Sequence, residues 1–209
     1  MSMISESQMQ EMYDAVAAYI NGAPPLAIKL AIKNTAKEFI RETGCLTVDA
    51  TMEYDKDEAN CWFLISPCGG RVDHVNTVRV MSTGRRIDPV RYKFIGNSPT
   101  GVPMLKMVAP IAPLAEDDRL IANVGIVATD DMDELPDAWY EAHKEEIISG
   151  TIAWLCAQAG KPWFNETIAA QFMQQYRSQM VDSMYETRLQ AANGNTLSAY
   201  DETAPWITS

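Results

Sequence analysis

The fold is decided at the segment AKEFIRETGCLTV, residues 36–48, where a helical sequence pattern gives way to a strand-like one. Before it, the pair Pro24-Pro25 opens a stretch with apolar residues at helical spacing, and Gly44 ends that stretch. After Cys45 the pattern is strand-like as far as Val127. This segment therefore predicts a helical region followed directly by a β-rich one.

Two helices are predicted on the N-terminal side of this point. The first covers residues 6–21, presents one apolar face, and is stopped by Asn21-Gly22. The second runs from the Pro24-Pro25 pair to about Thr43, because proline is well tolerated in a first helical turn. Its apolar positions are Leu26, Leu30, Ala36 and Phe39.

Short strand-like runs separated by turn signals fill the middle of the chain. The clearest runs are Trp62–Ile65, Val72–Val80, Ile87–Val90, Tyr92–Ile95, Met104–Val108 and Leu120–Ala128. No helical pattern lies between them, so there is no crossover connection of the kind a parallel sheet needs. The region is predicted to be a small antiparallel sandwich or barrel.

Helical periodicity returns at Leu135-Pro136 and continues to about Gln158. Asn165 is predicted to cap a last helix, and Asn193-Gly194-Asn195 to end it. This last helix carries apolar residues four positions apart, which predicts a long contact with another helix. The residues of this stripe are Ile168, Phe172, Tyr176, Met180 and Met184.

The predicted fold class is α+β: a bundle of about four helices with an inserted antiparallel β-rich domain and an extended C-terminal tail. The two helical pairs must pack together, because neither pair buries its apolar face alone. The predicted parts are the N-terminal helices (1–45), the β-rich insertion (46–130), the C-terminal helices (131–194) and the tail (195–209).

The tail is polar and without periodicity, yet it carries apolar and aromatic residues. Such side chains are enriched at interfaces because they bury a large area at a small entropy cost. The tail is therefore predicted to dock on a partner, the alternative being a disordered terminus. The predicted partner-binding residues are Leu197, Tyr200, Trp206 and Ile207.

Composition and charge limit the possible functions. The chain has 209 residues and a net charge of −11, with 28 acidic and 17 basic residues. Its basic clusters are short, such as Arg85-Arg86, which argues against a nucleic-acid grip that works by neutralising phosphates. No apolar run is long enough for a membrane helix, and the first residues do not resemble a secretory signal. The chain is expected to be cytosolic where it is made.

No motif for catalysis, cofactor binding or metal binding is present. The four cysteines contain no CxxC pair, and the two histidines, His74 and His143, lie far apart in sequence. There is no GxSxG elbow and no phosphate-binding loop. Cys156 is predicted to be a small core residue. The sequence therefore predicts no catalytic residue, no cofactor and no metal.

The order of the elements and several short motifs resemble those of a known group. The motifs are Leu135-Pro136-Asp137, Glu141, Ile147, Gly150, Gly160-Lys161-Pro162-Trp163, Ala169-Ala170 and Phe172, together with the helix Pro25–Phe39 before a β-rich insertion. Over about residues 20–195 the chain resembles the head-to-tail adaptor, or connector, proteins of tailed bacteriophages, especially short-tailed ones.

The resemblance implies a structural virion protein and no enzyme. It implies a dodecameric ring under the portal protein, a central channel through which DNA passes without sequence-specific binding, and contact with a tail nozzle or tail tube protein. It also implies that the C-terminal tail docks on the portal and that the β-rich insertion faces outward, toward the tail or its fibres. In such a ring, acidic helices along the channel would repel phosphate and let DNA slide.

Two alternatives remain open from the residues. One is another tail, baseplate or fibre-attachment protein that uses the β-rich insertion for contact. The other is an acidic hydrolase, with Asp137 and Glu141 as its candidate carboxylates. Paired carboxylates are abundant in any acidic chain, so they carry little weight for glycoside hydrolysis.

Overall fold

A computed structural model describes the backbone of residues 4–54, 60–66, 68, 70–97, 102–109, 118–129, 132 and 135–199. Side chains are described for the same residues except Asn97 and residues 190–199. This part of the chain contains four α-helices and one seven-stranded antiparallel sheet. The predicted α+β class and the predicted antiparallel pairing are confirmed.

The helices are α1 (Glu6–Ala17), α2 (Pro25–Thr43), α3 (Asp137–Cys156) and α4 (Glu166–Ala199). The strands are β1 (Thr47–Tyr54), β2 (Cys61–Ile65), β3 (Arg71–Val80), β4 (Arg86–Ile87), β5 (Tyr92–Asn97), β6 (Pro103–Met107) and β7 (Leu120–Val127), and a short 3₁₀ turn covers Pro89–Arg91.

The described residues divide into two compact units. The helical unit combines the residues up to Cys45 with those of Ala128–Glu186, and the sheet unit combines those of Leu46–Val127 with the part of α4 from Thr187 onward. The helical unit is therefore built from two segments of the chain, and the strands form a continuous segment between them.

Local signals set the ends of α1 and α2. Ser5 accepts a hydrogen bond from the Gln8 backbone N–H at 3.3 Å, and its own N–H donates to Gln8 Oε1 at 3.2 Å. The N–H of Gly44 donates to the Ile40 carbonyl at 2.9 Å in a left-handed conformation, φ 63°, that glycine adopts without strain. The predicted bounds of α2 are confirmed.

The predicted end of α1 at Asn21-Gly22 is wrong, because the helix ends at Ala17. The backbone N–H groups of Tyr19 and Ile20 both donate to the Val16 carbonyl, at 3.0 and 3.2 Å. This turn leaves the Ile20 side chain buried without continuing the helix. The chain therefore leaves the helix after Ala17 and still buries Ile20, which the helical pattern had assigned to the apolar face.

The core of the helical unit forms around Phe39, which is fully buried. Its ring lies against three other rings, with centroid distances of 6.3 Å to Trp139, 5.3 Å to His143 and 6.1 Å to Tyr176. Phe39 belongs to α2, Trp139 and His143 to α3, and Tyr176 to α4. One residue from the predicted α2 thus joins the N-terminal and C-terminal helices.

The seven strands of the sheet lie in the order β4-β3-β7-β1-β2-β6-β5. All pairs are antiparallel, and β1 pairs with β7 in a register that places Ala50 opposite Ala122. Alternate residues of β1 and β7 are buried, which gives the sheet unit its own core. The buried residues of these two strands include Val48, Ala50, Met52, Leu120, Ala122, Val124 and Ile126.

The sheet curls so that strands distant in the strand order come together. Tyr92 begins β5, the last strand on one side, and its hydroxyl hydrogen-bonds with the Val78 backbone of β3, near the other side. Burial raises the Tyr92 pKa and this hydrogen bond partly offsets the rise. All described strands belong to one continuous sheet rather than to two separate ones.

The predicted end of the last helix is wrong. The predicted extended conformation of the tail is also wrong for residues 195–199, which are helical. α4 continues through Asn193-Gly194-Asn195 to Ala199. Each of these three residues costs at most about 1 kcal/mol inside a helix, and the preceding Ala191 and Ala192 favour the helix. Residues 200–209 of the predicted tail lie outside the described residues.

Candidate functional site

The inner face of α4 fixes this helix against the rest of the helical unit. Asn165 Oδ1 accepts a hydrogen bond from the Ile168 N–H at 3.1 Å, which confirms the predicted cap. Within the predicted stripe Tyr176 is buried, and the other four residues are half-buried. The Phe172 ring lies 5.1 Å from the Tyr19 ring at an edge-on angle.

Gly150 of α3 allows the close approach of α4. A Cβ atom at this position would lie 2.7 Å from both the Thr35 Cγ2 atom and the Tyr176 Cε2 atom. Such distances are far inside van der Waals contact, so only glycine leaves room for the tyrosine ring here. The Tyr176 hydroxyl has no hydrogen-bond partner among the described residues, and burial together with the charges of Glu38 and Glu42 raises its pKa.

The outer face of α4 carries large apolar side chains that point into solvent. Val181 is 63% exposed and Tyr185 is 65% exposed. Asp182 and Glu186, which directly follow them in sequence, are exposed as well. We call these four residues the α4 stripe. A repeat of four residues places the two apolar side chains on one side of the helix and the two carboxylates along its border.

A second exposed apolar surface lies on α2. Leu26 is 78% exposed and Leu30 is 57% exposed, so two of the four apolar positions identified in the sequence of α2 lie at the surface. The core face is formed instead by Ile28, Ile32, Ala36 and Phe39. Helical spacing separates the two sets, because Leu26 and Leu30 lie roughly 200° around the helix from Ile28 and Ile32.

Leu26 and Leu30 border a groove of about 720 Å³ on the surface of the helical unit. Lys29 and Lys33 also line it from α2, and Met9 and Glu6 are among the residues that line it from α1. We call this feature the α2 groove. Its lining combines apolar side chains with Lys29 and Lys33, and Glu6 is the acidic residue among them.

Sequence reasoning missed both exposed surfaces, although one signal for the α2 groove is visible. Residues 26–37, LAIKLAIKNTAK, contain three lysines and no acidic residue in a chain with an excess of acidic residues. Their apolar residues also repeat on two sides of the predicted helix, where a single core needs only one. The exposure of Val181 and Tyr185 follows only from how α4 packs.

His143 lies in a polar cluster within the core of the helical unit. The Trp139 indole N–H donates to the Cys45 Sγ atom at 3.3 Å, and Glu146 Oε1 lies 3.7 Å from His143 Nδ1. Burial lowers the His143 pKa, but interactions with Cys45 and Glu146 outweigh it and raise that pKa to about 9. The raised pKa favours the protonated imidazole near neutral pH, and the ring is tilted by 50° against the Phe39 ring at a centroid distance of 5.3 Å.

A second polar cluster joins α1 to α3. The Glu11 carboxylate accepts hydrogen bonds from the Lys144 ammonium at 2.9 Å and from the Tyr140 hydroxyl at 2.8 Å. Lys144 also donates to Glu141 at 3.0 Å. The contact with Lys144 and then that with Tyr140 lower the Glu11 pKa. This cluster holds two helices together at the surface.

The two carboxylates considered for hydrolysis are engaged in helix contacts. Asp137 accepts a hydrogen bond from the Gln8 amide at 3.0 Å, and Glu141 pairs with Lys144. Among the described residues no group of three or more His, Cys, Asp or Glu side chains is placed to hold a metal ion. The predicted core position of Cys156 is confirmed, because its side chain is buried.

The predicted docking residues fall almost wholly outside the described part of the chain. Leu197 lies within α4, where only the backbone is described. Tyr200, Trp206 and Ile207 lie outside the described residues. None of the helices examined over the described residues is both long and apolar enough to cross a membrane.

No protein-family model matches the chain, and no curated protein matches it. Its function must therefore be argued from its own surfaces.

Proposed function

We propose that this chain is a non-catalytic structural protein of the virion: the head-to-tail adaptor of a tailed, short-tailed bacteriophage. In this role it assembles into a ring between the portal protein and the tail nozzle or tail tube. DNA passes through the ring without sequence-specific binding, and the protein assembles in the host cytoplasm.

The observation that carries this proposal is the pair of exposed apolar surfaces, the α4 stripe and the α2 groove. Monomeric soluble proteins seldom expose large apolar side chains in clusters, and such clusters mark contact sites with other molecules. Both surfaces lie on helices that are anchored in a packed core, around Phe39 and Gly150. A rigid surface of this kind suits a permanent assembly, because little entropy is lost on binding.

The positions of the resembling motifs give further support. Leu135-Pro136 directly precedes α3, and Gly160-Lys161-Pro162-Trp163 lies between α3 and α4. Gly150, the small residue in the middle of α3, is the point where Tyr176 approaches closely. Two of the motifs thus lie at the ends of helices, and Gly150 lies at a close contact between helices, in a helical unit that the β-rich segment interrupts.

The net charge of −11 fits a ring around DNA. Acidic walls repel the phosphate backbone, so a DNA strand inside such a channel finds no attractive site at which to stop. The same acidity would weaken contact between copies, since like charges repel. A ring of this protein therefore needs local positive charge at the contacts between subunits.

The test is to combine the purified full-length chain with the portal protein encoded in the same genome and to image the mixture by electron microscopy. We expect a ring of this chain on the portal, with twelve-fold symmetry. A truncation that removes residues 200–209 is expected to lose portal binding while keeping the circular dichroism of the full chain. The absence of any portal complex would contradict the proposal.

A control experiment addresses the hydrolase alternative. A cell-wall zymogram of the full chain is expected to show no cleared band. A band that disappears in Glu141→Gln or Asp137→Asn would replace the structural role with an enzymatic one.

A further inference from the structure

We propose that two copies of this chain contact each other through two different surfaces. The α4 stripe of one copy binds in the α2 groove of the next. The closed ring to which this contact leads rests on the proposed function. The contact itself is argued from the chemistry of the two surfaces and has its own test.

The α2 side of the contact is a basic apolar surface. Leu26, Lys29, Leu30 and Lys33 follow the helical repeat i, i+3, i+4, i+7, so they share one face of α2. Both leucines are more than half exposed, and the groove beside them holds about 720 Å³. This space is large enough for an aromatic side chain together with part of the helix that carries it.

The α4 side is an apolar surface with an aromatic anchor and with carboxylates along one of its two borders. Tyr185 is a frequent type of anchor residue at interfaces, because its ring buries much area and its hydroxyl remains at the wet edge. Val181 lies one turn before it on the same face. We infer that the Tyr185 ring enters the α2 groove between Leu26 and Leu30.

The charges of the two surfaces match in sign and in spacing. Lys29 and Lys33 are four residues apart on one helix, and Asp182 and Glu186 are four residues apart on the other. Four residues correspond to about 6 Å along a helix axis, so two parallel rows of opposite charge can align. Such complementarity sets the register of a contact and disfavours other partners.

The basic surface matters because the whole chain is strongly acidic. Two copies with a net charge of −11 repel each other at a distance. The segment from Leu26 to Lys37 contains lysines and no acidic residue. It is therefore a place where carboxylates of a neighbouring copy meet two lysines, with Glu6 as the acidic residue of the groove lining.

A contact between two different surfaces has a geometric consequence. Each copy still has one free stripe and one free groove after pairing, so further copies can add, and the chain of copies closes into a ring if the rotation fits. A two-fold contact between two α4 stripes is the competing arrangement. Arg177, one turn before Val181, and Arg188, three residues after Tyr185, are exposed along the side of the α4 stripe away from Asp182, so either arginine could pair with the acidic border of a second stripe.

Charge reversal on each surface separately tests the contact. One variant carries Lys29→Glu and Lys33→Glu, and the other carries Asp182→Lys and Glu186→Lys. Each variant alone presents like charges across the contact, and we expect its self-association to weaken about tenfold or more. An equimolar mixture regains opposite charges at both types of contact. Association in the mixture should return to within about threefold of the unmodified chain.

Cysteine cross-linking detects the contact even when association is weak. Leu30→Cys and Tyr185→Cys variants are mixed and treated with a short bis-maleimide, and Ala138→Cys on the exposed surface of α3 replaces Leu30→Cys in the control mixture. We expect covalent dimers between the Leu30→Cys and Tyr185→Cys chains well above the control. Sedimentation velocity of the charge variants provides the association constants.

Several results would overturn the contact. One is a Leu30→Cys and Tyr185→Cys cross-link no stronger than the Ala138→Cys control. Another is that the Asp182→Lys, Glu186→Lys variant fails to associate while the Lys29→Glu, Lys33→Glu variant associates normally. This pattern would indicate pairing between two α4 stripes. A confirmed contact without any portal complex would leave the inference standing and remove the adaptor role, so the two proposals fail separately.

Discussion

Two tyrosines of the same helix, Tyr176 and Tyr185, differ sharply in solvent exposure because they lie on opposite faces of α4. Tyr176 is 5% exposed and packs on Gly150 and Phe39, whereas Tyr185 is 65% exposed. Residue type does not separate them, because both are tyrosines in a regular helix. The contrast shows that α4 packs against the core with one face and leaves the other face exposed.

The largest effect should come from removing each ring in turn. We expect Tyr176→Ala to lower the free energy of unfolding by about 3–5 kcal/mol, because it leaves a large cavity beside Phe39. Tyr185→Ala should change it by less than about 0.5 kcal/mol, since an exposed ring contributes little to folding. Urea denaturation of both variants measures the difference. Equal losses of unfolding free energy in both variants would show that Tyr185 belongs to the core as Tyr176 does.

Tyr176→Phe is the matched control for the buried site. It keeps the ring and removes a hydroxyl that has no hydrogen-bond partner among the described residues. A buried polar group without a partner is costly, so this variant should be as stable as the unmodified chain or more stable. A large loss would mean that the hydroxyl has a partner such as an ordered water.

A second, smaller effect is expected at Gly150, the residue that admits Tyr176. Gly150→Ala gains about 1 kcal/mol of helix propensity but forces its methyl group against Thr35 and Tyr176. We expect a net loss of about 1–3 kcal/mol in thermal or urea unfolding. Thr35→Ser removes the Thr35 methyl group, so it should recover part of the loss in the double variant. A Gly150→Ala chain of unchanged or higher stability would show that α4 can move away freely.

The smallest effect is a change of stability with pH, which is expected from His143 in the core and not from the exposed face of α4. The folded His143 has a pKa of about 9, above its ordinary value of 6.5, so its protonated form stabilises the fold. That contribution is complete below pH 6.5 and is lost as the pH rises through 9. We expect about 1 kcal/mol, because the His143–Glu146 contact is long at 3.7 Å and partly screened.

The check is urea denaturation at pH 6 and pH 9.5 for the unmodified chain and for His143→Gln. The loss between the two values should be smaller in His143→Gln. Tyr185→Ala should retain the full pH dependence, because its side chain lies on the outer face. An identical pH dependence in His143→Gln and the unmodified chain would show that protonation of His143 does not stabilise the fold.

Local signals made much of this fold predictable. Pro25 and Gly44 mark α2 within a residue, and the runs around Leu64, Val78 and Leu105 became β2, β3 and β6. β1 (Thr47–Tyr54) was not predicted as a separate strand, although its apolar residues alternate with Asp, Thr and Glu as they do in a strand with one buried face. Its identity as a strand depends on pairing with β2 and β7.

The candidate site was less predictable than the fold. Leu26 and Leu30 follow a helical period just as Ile28 and Ile32 do, so their spacing does not reveal which pair lies inside. That choice is made by what packs against α2, namely α1 and α3. The exposure of Tyr185 has the same origin, since Phe39 and Gly150 select the opposite face of α4 for the core.

The division of the helical unit into two chain segments has a consequence during synthesis. The ribosome releases α1 and α2 first, and all of Leu46–Val127 must follow before α3 emerges. At a translation rate of about 5–20 residues per second, this interval lasts on the order of ten seconds. For that time the Phe39 side of α2 has no partner, whereas the sheet can already complete its pairing. The buried face of α2 around Phe39 therefore stays open to other contacts until α3 and α4 have been made.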